Sequence, residues 1–281
     1  MATFTNVATL SYNGSVTNSN VVTGTITEVL AVTKTAVTDN YIAGDDVAYV
    51  ISILNNGNTN LSALTVTDDL GVFLIDDTAY TPLEYKENSI KYYVNGVLQA
   101  APTVTSGTNL VISGINVPAN GNAIIVYEAT VNEFAPIIIG STITNTVSVT
   151  GSGLTPVEGS ETITVREYAS LSITKAVSPT VVTDNSQITY TFVIQNFGNI
   201  PVELGSDIVL SDTFDPILTN ISATLNGTPF SDTNYTYSEV TGQFATDPGT
   251  ISVPAATFVR DDTGAVTVDP GVAVFTITGT V

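Results

Sequence analysis

Residues 2–12 alternate in period two, with Phe4, Asn6, Ala8 and Leu10 on one face and Thr3, Thr5, Val7 and Thr9 on the other. That pattern specifies a half-buried β-strand. A near copy stands at Thr142–Thr150, where Asn145 takes the place of Asn6. Further Val-, Ile- and Thr-rich runs follow at roughly ten-residue spacing, separated by Gly and Asn, and no long stretch has a helical period. The pattern predicts an all-β chain of sandwiches.

The runs repeat. Leu30–Thr35 matches Leu171–Ala176, and Asp45–Asn58 matches Ser186–Asn199, with one common spacing (175 − 34 = 190 − 49 = 141). Leu64–Asp68 matches Ile208–Asp212, and Gly121–Val131 matches Gly271–Val281. Each copy carries an Asn-Gly hairpin signal, Asn95-Gly96 and Asn226-Gly227. An internal repeat of this length predicts two tandem immunoglobulin-like β-sandwich domains, residues 29–165 and 166–281, after a linker and strand at 1–28. The first copy continues through the strand Thr142–Thr150 to Thr162-Ile163-Thr164, whereas the second stops at Val281. The missing piece is expected at the other end, with Thr25-Ile26-Thr27 matching Thr162-Ile163-Thr164. The second sandwich is therefore expected to lack its closing strand, and Phe4, Asn6, Ala8 and Leu10 to form a donor strand. Val274, Thr276, Thr278 and Val281 are the expected acceptor edge. Donation to a neighbouring copy is heterologous and propagates head to tail as a homopolymer; the alternative is that residues 1–28 fold back onto their own molecule.

Composition narrows the chemistry. Six Lys and Arg against 26 Asp and Glu give a net charge of −20, which disfavours nucleic acid and anionic membrane as partners. With no Cys and no His, disulfides, thiol catalysis and imidazole chemistry are excluded, and no cofactor or metal is expected. No secretory signal and no apolar run of membrane-spanning length is visible. The acidic pairs Asp45-Asp46, Asp68-Asp69, Asp76-Asp77 and Asp261-Asp262 lack EF-hand spacing and read as solvated turns, with calcium the alternative.

Lys34, Tyr49, Asn55, Gly57, Asn58, Asp68 and Asn145, with Lys175, Tyr190, Asn196, Gly198, Asn199, Asp212 and the displaced Asn6, resemble a bacterial surface-repeat family, the conserved-repeat domain of unknown function numbered eleven. The resemblance implies an immunoglobulin-like sandwich on the outside of a bacterium and no catalytic activity, and the expected location is extracellular or at a cell or spore surface. The function expected is that of a structural filament subunit, pilus-like or spore-appendage-like; the rival is a monomeric adhesin or ligand-binding module with an unknown host or surface ligand.

Period two also turns one Lys, one Asp and one Asn of each domain toward the core. Lys34 follows Leu30 and Val32, Asp68 follows Leu64 and Val66, and Asn145 lies between Ile143 and Val147. Lys175 and Asp212 have equivalent positions, with Asn6 to complete them. An inward Lys is costly as a cation, and burial favours its neutral, nucleophilic form. Lys34 with Asn145, assisted by Asp68, and Lys175 with Asn6 of the next subunit, assisted by Asp212, are candidate isopeptide cross-links, a device of several Gram-positive pilus domains of similar architecture. The alternative is a buried Lys–Asp ion pair hydrogen-bonded to Asn, or a Lys whose head snorkels to the rim.

Overall fold

The computed structural model describes residues 2–26 and 29–281; Thr27 and Glu28, part of the expected Thr25-Ile26-Thr27 strand and its linker, lie outside them. Apart from a single 3-10 turn at Asp232–Asn234, every regular element described is a strand, so the chain is all-β, as its patterning predicts.

The first four strands form one long hairpin. β1 (Ala2–Asn6) pairs with β4 (Val22–Ile26), and β2 (Thr9–Tyr12) pairs with β3 (Ser15–Asn18) around the turn Asn13-Gly14. Both turn residues have positive φ, 48° and 78°, the geometry that fits the twist of a two-residue hairpin and that Asn-Gly adopts readily. Every side chain from Phe4 to Thr23 is exposed. Residues 4–23 thus carry a strand pattern with its apolar face in water.

The first domain is built from β5 (Leu30–Ala36), β6 (Asp46–Asn55), β7 (Leu61–Asp68), β8 (Lys91–Val94), β9 (Leu110–Val117), β10 (Asn122–Val131), β11 (Thr142–Gly151) and β12 (Leu154–Val165). One sheet runs β8–β10–β6–β5 and the other β9–β7–β11–β12. Their inner faces alternate buried and less buried along nearly every strand, and Tyr49, Ile51, Val66, Ile112, Tyr127 and Val147 meet fully buried between them. β11 and β12 close the second sheet, with Val147 opposite Asp68 and Val149 opposite Val66.

The second domain repeats the first sheet and half of the second. β13 (Leu171–Ser178), β14 (Gln187–Asn196), β16 (Thr219–Leu225) and β18 (Gly271–Thr280) give the order β13–β14–β18–β16. β15 (Ser211–Thr213) pairs with β17 (Gln243–Thr246), as β7 pairs with β9. Where β7 has β11 on its other side, β15 has no strand among the described residues. Tyr190, Phe192, Phe214, Phe244, Phe275 and Ile277 nevertheless share one buried core. The chain divides into two compact units, residues 1–39, 44–132 and 143–163 forming one and residues 40–43, 133–142 and 164–281 the other.

The repeated Asn-x-Gly-Asn has a local task. Asn55 donates to the carbonyls of Thr59 and Pro118 and accepts from Gly57 N at 2.9 Å. Asn196 does the same with Ile200, Pro254 and Gly198. Buried backbone polar groups at each turn are satisfied by one side chain, so this part of the motif is structural.

Candidate functional site

In the first domain the three inward residues belong to one network, Asn145 joining it through the hydroxyl of Tyr127. β5 brings Lys34, β7 Asp68 and β11 Asn145, all buried. Lys34 Nζ stands 2.5 Å from Asp68 Oδ2. Tyr127 on β10 donates its hydroxyl to the same oxygen at 2.7 Å and accepts from Asn145 Nδ2 at 3.0 Å. Asn145 Oδ1, also buried, has no hydrogen-bond partner. Lys34 lies over the rings of Tyr49 and Tyr127, 5.0 and 5.8 Å from their centroids. The arrangement joins an amine, a carboxyl and a carboxamide in a dry pocket. Burial lowers the Lys34 ammonium to about 8, against the pull of the Asp68 carboxylate, which raises it. Burial also pushes the Tyr127 phenol well above its ordinary value, and Asp68 adds to that. A neutral amine is thus accessible near neutral pH, as nucleophilic attack on an amide requires.

The lowered value has a measurable consequence. The folded chain binds fewer protons than the unfolded chain between about pH 8 and 10.5, so stability should rise with pH across that window, by about 3 kcal/mol at most. Below pH 8 the full cost of holding the ammonium is present. Denaturant titrations of Asn145→Ala, which cannot cross-link, at pH 7.5 and 9.5 check this; the first domain should be the more stable at pH 9.5.

The second domain presents the same pair uncovered. Lys175 Nζ contacts Asp212 Oδ2, and that buried oxygen accepts no other bond. Lys175 lies 4.4 Å from the Tyr190 ring centroid, with Phe214 and Phe192 at 5.4 and 5.5 Å. The exposures separate the two sites. Leu30 and Val32 are 4% and 9% exposed, but their counterparts Leu171 and Ile173 are 44% and 53% exposed. The Lys34 side chain has no exposure and that of Lys175 has 40%. What covers the first set is β11–β12, and no equivalent pair covers the second among the described residues.

No protein-family model and no curated protein matches the sequence. Among solved structures, the major pilin subunit BcpA of Bacillus cereus is similar with a TM-score of 0.37 at 12% identity, over 96% of this chain and 73% of that one. The 35 kDa C-terminal fragment of the major pilin GBS80 of Streptococcus agalactiae has a TM-score of 0.37 at 12% identity, over 87% and 91%. The collagen-binding subdomain ACE19 of the Enterococcus faecalis surface protein ACE has a TM-score of 0.30 at 8% identity, over 51% and 99%.

Two expectations are corrected by the geometry. β18 is flanked on both sides, Thr276 pairing with Thr191 of β14 and Thr224 of β16. Val274, Thr276, Thr278 and Val281 are therefore no acceptor edge; the end of the sequence is the middle of the sheet, and the open edge is β15. The hairpin also sets a different register from the expected Thr25-Ile26-Thr27 match. Thr5 pairs with Thr23, as Thr144 Oγ1 bonds Thr162 Oγ1 at 2.9 Å, so Thr23 answers to Thr162.

Three of the four acidic pairs have a member held by other groups of the protein. Asp46 holds Lys86 and Thr130, both at 2.6 Å. Asp69 caps Gly71 and Thr146, and Asp261 caps the turn to Ala265. No group of three acidic side chains gathers among the described residues.

Proposed function

We propose that this chain is the structural subunit of an extracellular bacterial filament, a member of the surface-repeat family that its motifs resemble. It works at a cell or spore surface and polymerises head to tail with like copies. The apolar face of residues 2–26 enters the uncovered side of the next copy's second domain. One observation carries this reading: Phe4 and Leu10, 51% and 68% exposed, match Ile143 and Val149, which are 2% and 0% exposed in the first domain. Each large side chain so covered contributes about 1.5–3 kcal/mol, and backbone pairing along β15 adds to it.

The first domain forms its Lys34–Asn145 amide as it folds, assisted by Asp68. That bond would give a chain without Cys the toughness that disulfides give elsewhere. The chain carries out no turnover.

Electron microscopy of the purified protein tests the reading. Threads with two lobes per repeat are expected, and Leu10→Asp, which places a charge on the apolar face, should leave dispersed particles. Dispersed particles from the unaltered chain at all concentrations would end the proposal.

A further inference from the structure

The hairpin and β11–β12 correspond residue by residue (145 − 6 = 139). Their turns coincide: Asn13 and Gly14 match Ser152 and Gly153, whose φ values are 52° and 72°. Their threonine rungs, Thr5–Thr23 and Thr144–Thr162, coincide as well. Phe4 then stands for Ile143 and Gly24 for Ile163. A Cβ at Gly24 would lie 2.3 Å from the Phe4 ring, so one ring occupies the place that two buried isoleucines fill in the first domain. The substitution is paired: a larger residue on one strand goes with none on the other.

The receiving surface is equally specified. β11 sets Val147 opposite Asp68 and Val149 opposite Val66. Carried to the second domain, this register sets Ala8 opposite Asp212 and Leu10 opposite Leu210. Leu10 then faces an open apolar groove of about 190 Å³ lined by Leu171, Ile173, Ile194, Ile208 and Leu210. Asn6 then takes the place in the second domain that Asn145 takes in the first, where the Tyr127 hydroxyl joins Asn145 to the Lys34–Asp68 pair.

We infer that the whole hairpin Ala2–Ile26, rather than a single strand, seats in the second domain of the next copy in this register, and that Lys175 and Asn6 then close the joint as an amide between subunits. The inference rests on the filament reading above. The Lys175 amine, its extra proton passed to Asp212, adds its lone pair to Asn6 Cγ. The Cγ–Nδ2 bond breaks, and Nδ2 leaves as ammonia, taking the proton that Lys175 gives up by way of the Asp212 carboxyl. No oxidant, cofactor or second substrate is needed. Water reaches Lys175 in the open domain and is excluded when the hairpin covers it, so the joint reacts only once it is assembled. The two sites differ in their aromatic surroundings: the position of Tyr127 is Ile277 in the second copy, so the Asp212 oxygen takes no phenol, and Phe192 and Phe214 lie beside Lys175. The inter-subunit site is the more apolar of the two.

Filaments of the unaltered protein, boiled in SDS, should run as a ladder in steps of 29.3 kDa. Proteolysis should release one linked peptide pair containing Asn6 and Lys175, lighter than its parts by about 17 Da, the ammonia lost. Asn6→Ala should still form filaments, which SDS takes to monomers; if it does not assemble, Lys175→Met, which keeps the apolar stem, is read in its place. Gly24→Val, whose side chain needs the place of the Phe4 ring, should cut ladder yield at least tenfold. Filaments that dissolve to unmodified monomers, or a linked pair lacking either residue, overturn the covalent joint and leave the filament standing. An unchanged ladder from Gly24→Val overturns the seating of both strands together. Absence of filaments from the unaltered chain overturns the reading beneath.

Discussion

Heated as a Leu10→Asp monomer, the protein should unfold in two separated steps, the second domain first. The first domain buries Leu30 and Val32 under β11–β12 together with Ile143 and Val147 of β11 itself, whereas the second leaves Leu171 and Ile173 about half in water. At about 1.5–3 kcal/mol per covered side chain the deficit is roughly 5–8 kcal/mol. A deficit of that size lowers a midpoint by roughly 15–25 °C in domains of this length. Calorimetry should resolve the two transitions, and in assembled filaments the lower one should move up toward the other. A single transition in the blocked monomer would mean that the second domain is complete without a hairpin.

Asn145→Ala should have an effect almost as large, on the upper transition. The unaltered chain should weigh about 17 Da less than its sequence per bond formed. The variant should retain the ammonia of the Lys34 site. A link between positions 34 and 145 spans a loop of about a hundred residues, and by analogy with disulfides such a link is worth about 4–5 kcal/mol through the unfolded chain. The first domain should accordingly melt roughly 15 °C lower. Full, unmodified mass in the unaltered protein would leave only the ion pair and its hydrogen bonds, and the loss in the variant would shrink to about 1–2 kcal/mol.

Much of this site is legible from period two. Lys34, Asp68 and Asn145 each follow apolar residues on their own strand, and three inward polar groups in a sandwich this thin have to meet. Tyr127 escapes the same reasoning. It alternates inward on β10 like any core aromatic, and comparison of the copies hides it, because Ile277 stands in its place. Only the hydroxyl's two partners distinguish it from Tyr49, which stacks on it at 5.5 Å. Gly24 hides the second strand of the hairpin for a related reason. A glycine reads as a gap in the apolar pattern, and its meaning comes from the ring across from it. The misplaced acceptor edge has a topological cause: sequence order carries β18 last, but pairing places it between β14 and β16.

In the first domain β11–β12 already occupies the place beside β7. On the filament reading proposed above, each copy offers one plug and one socket. Units of that valence would lengthen but not branch. The thread they make would be polar, with a bare hairpin at one tip and a bare groove at the other, so a molecule shaped for one tip should stop growth there and leave the opposite tip untouched.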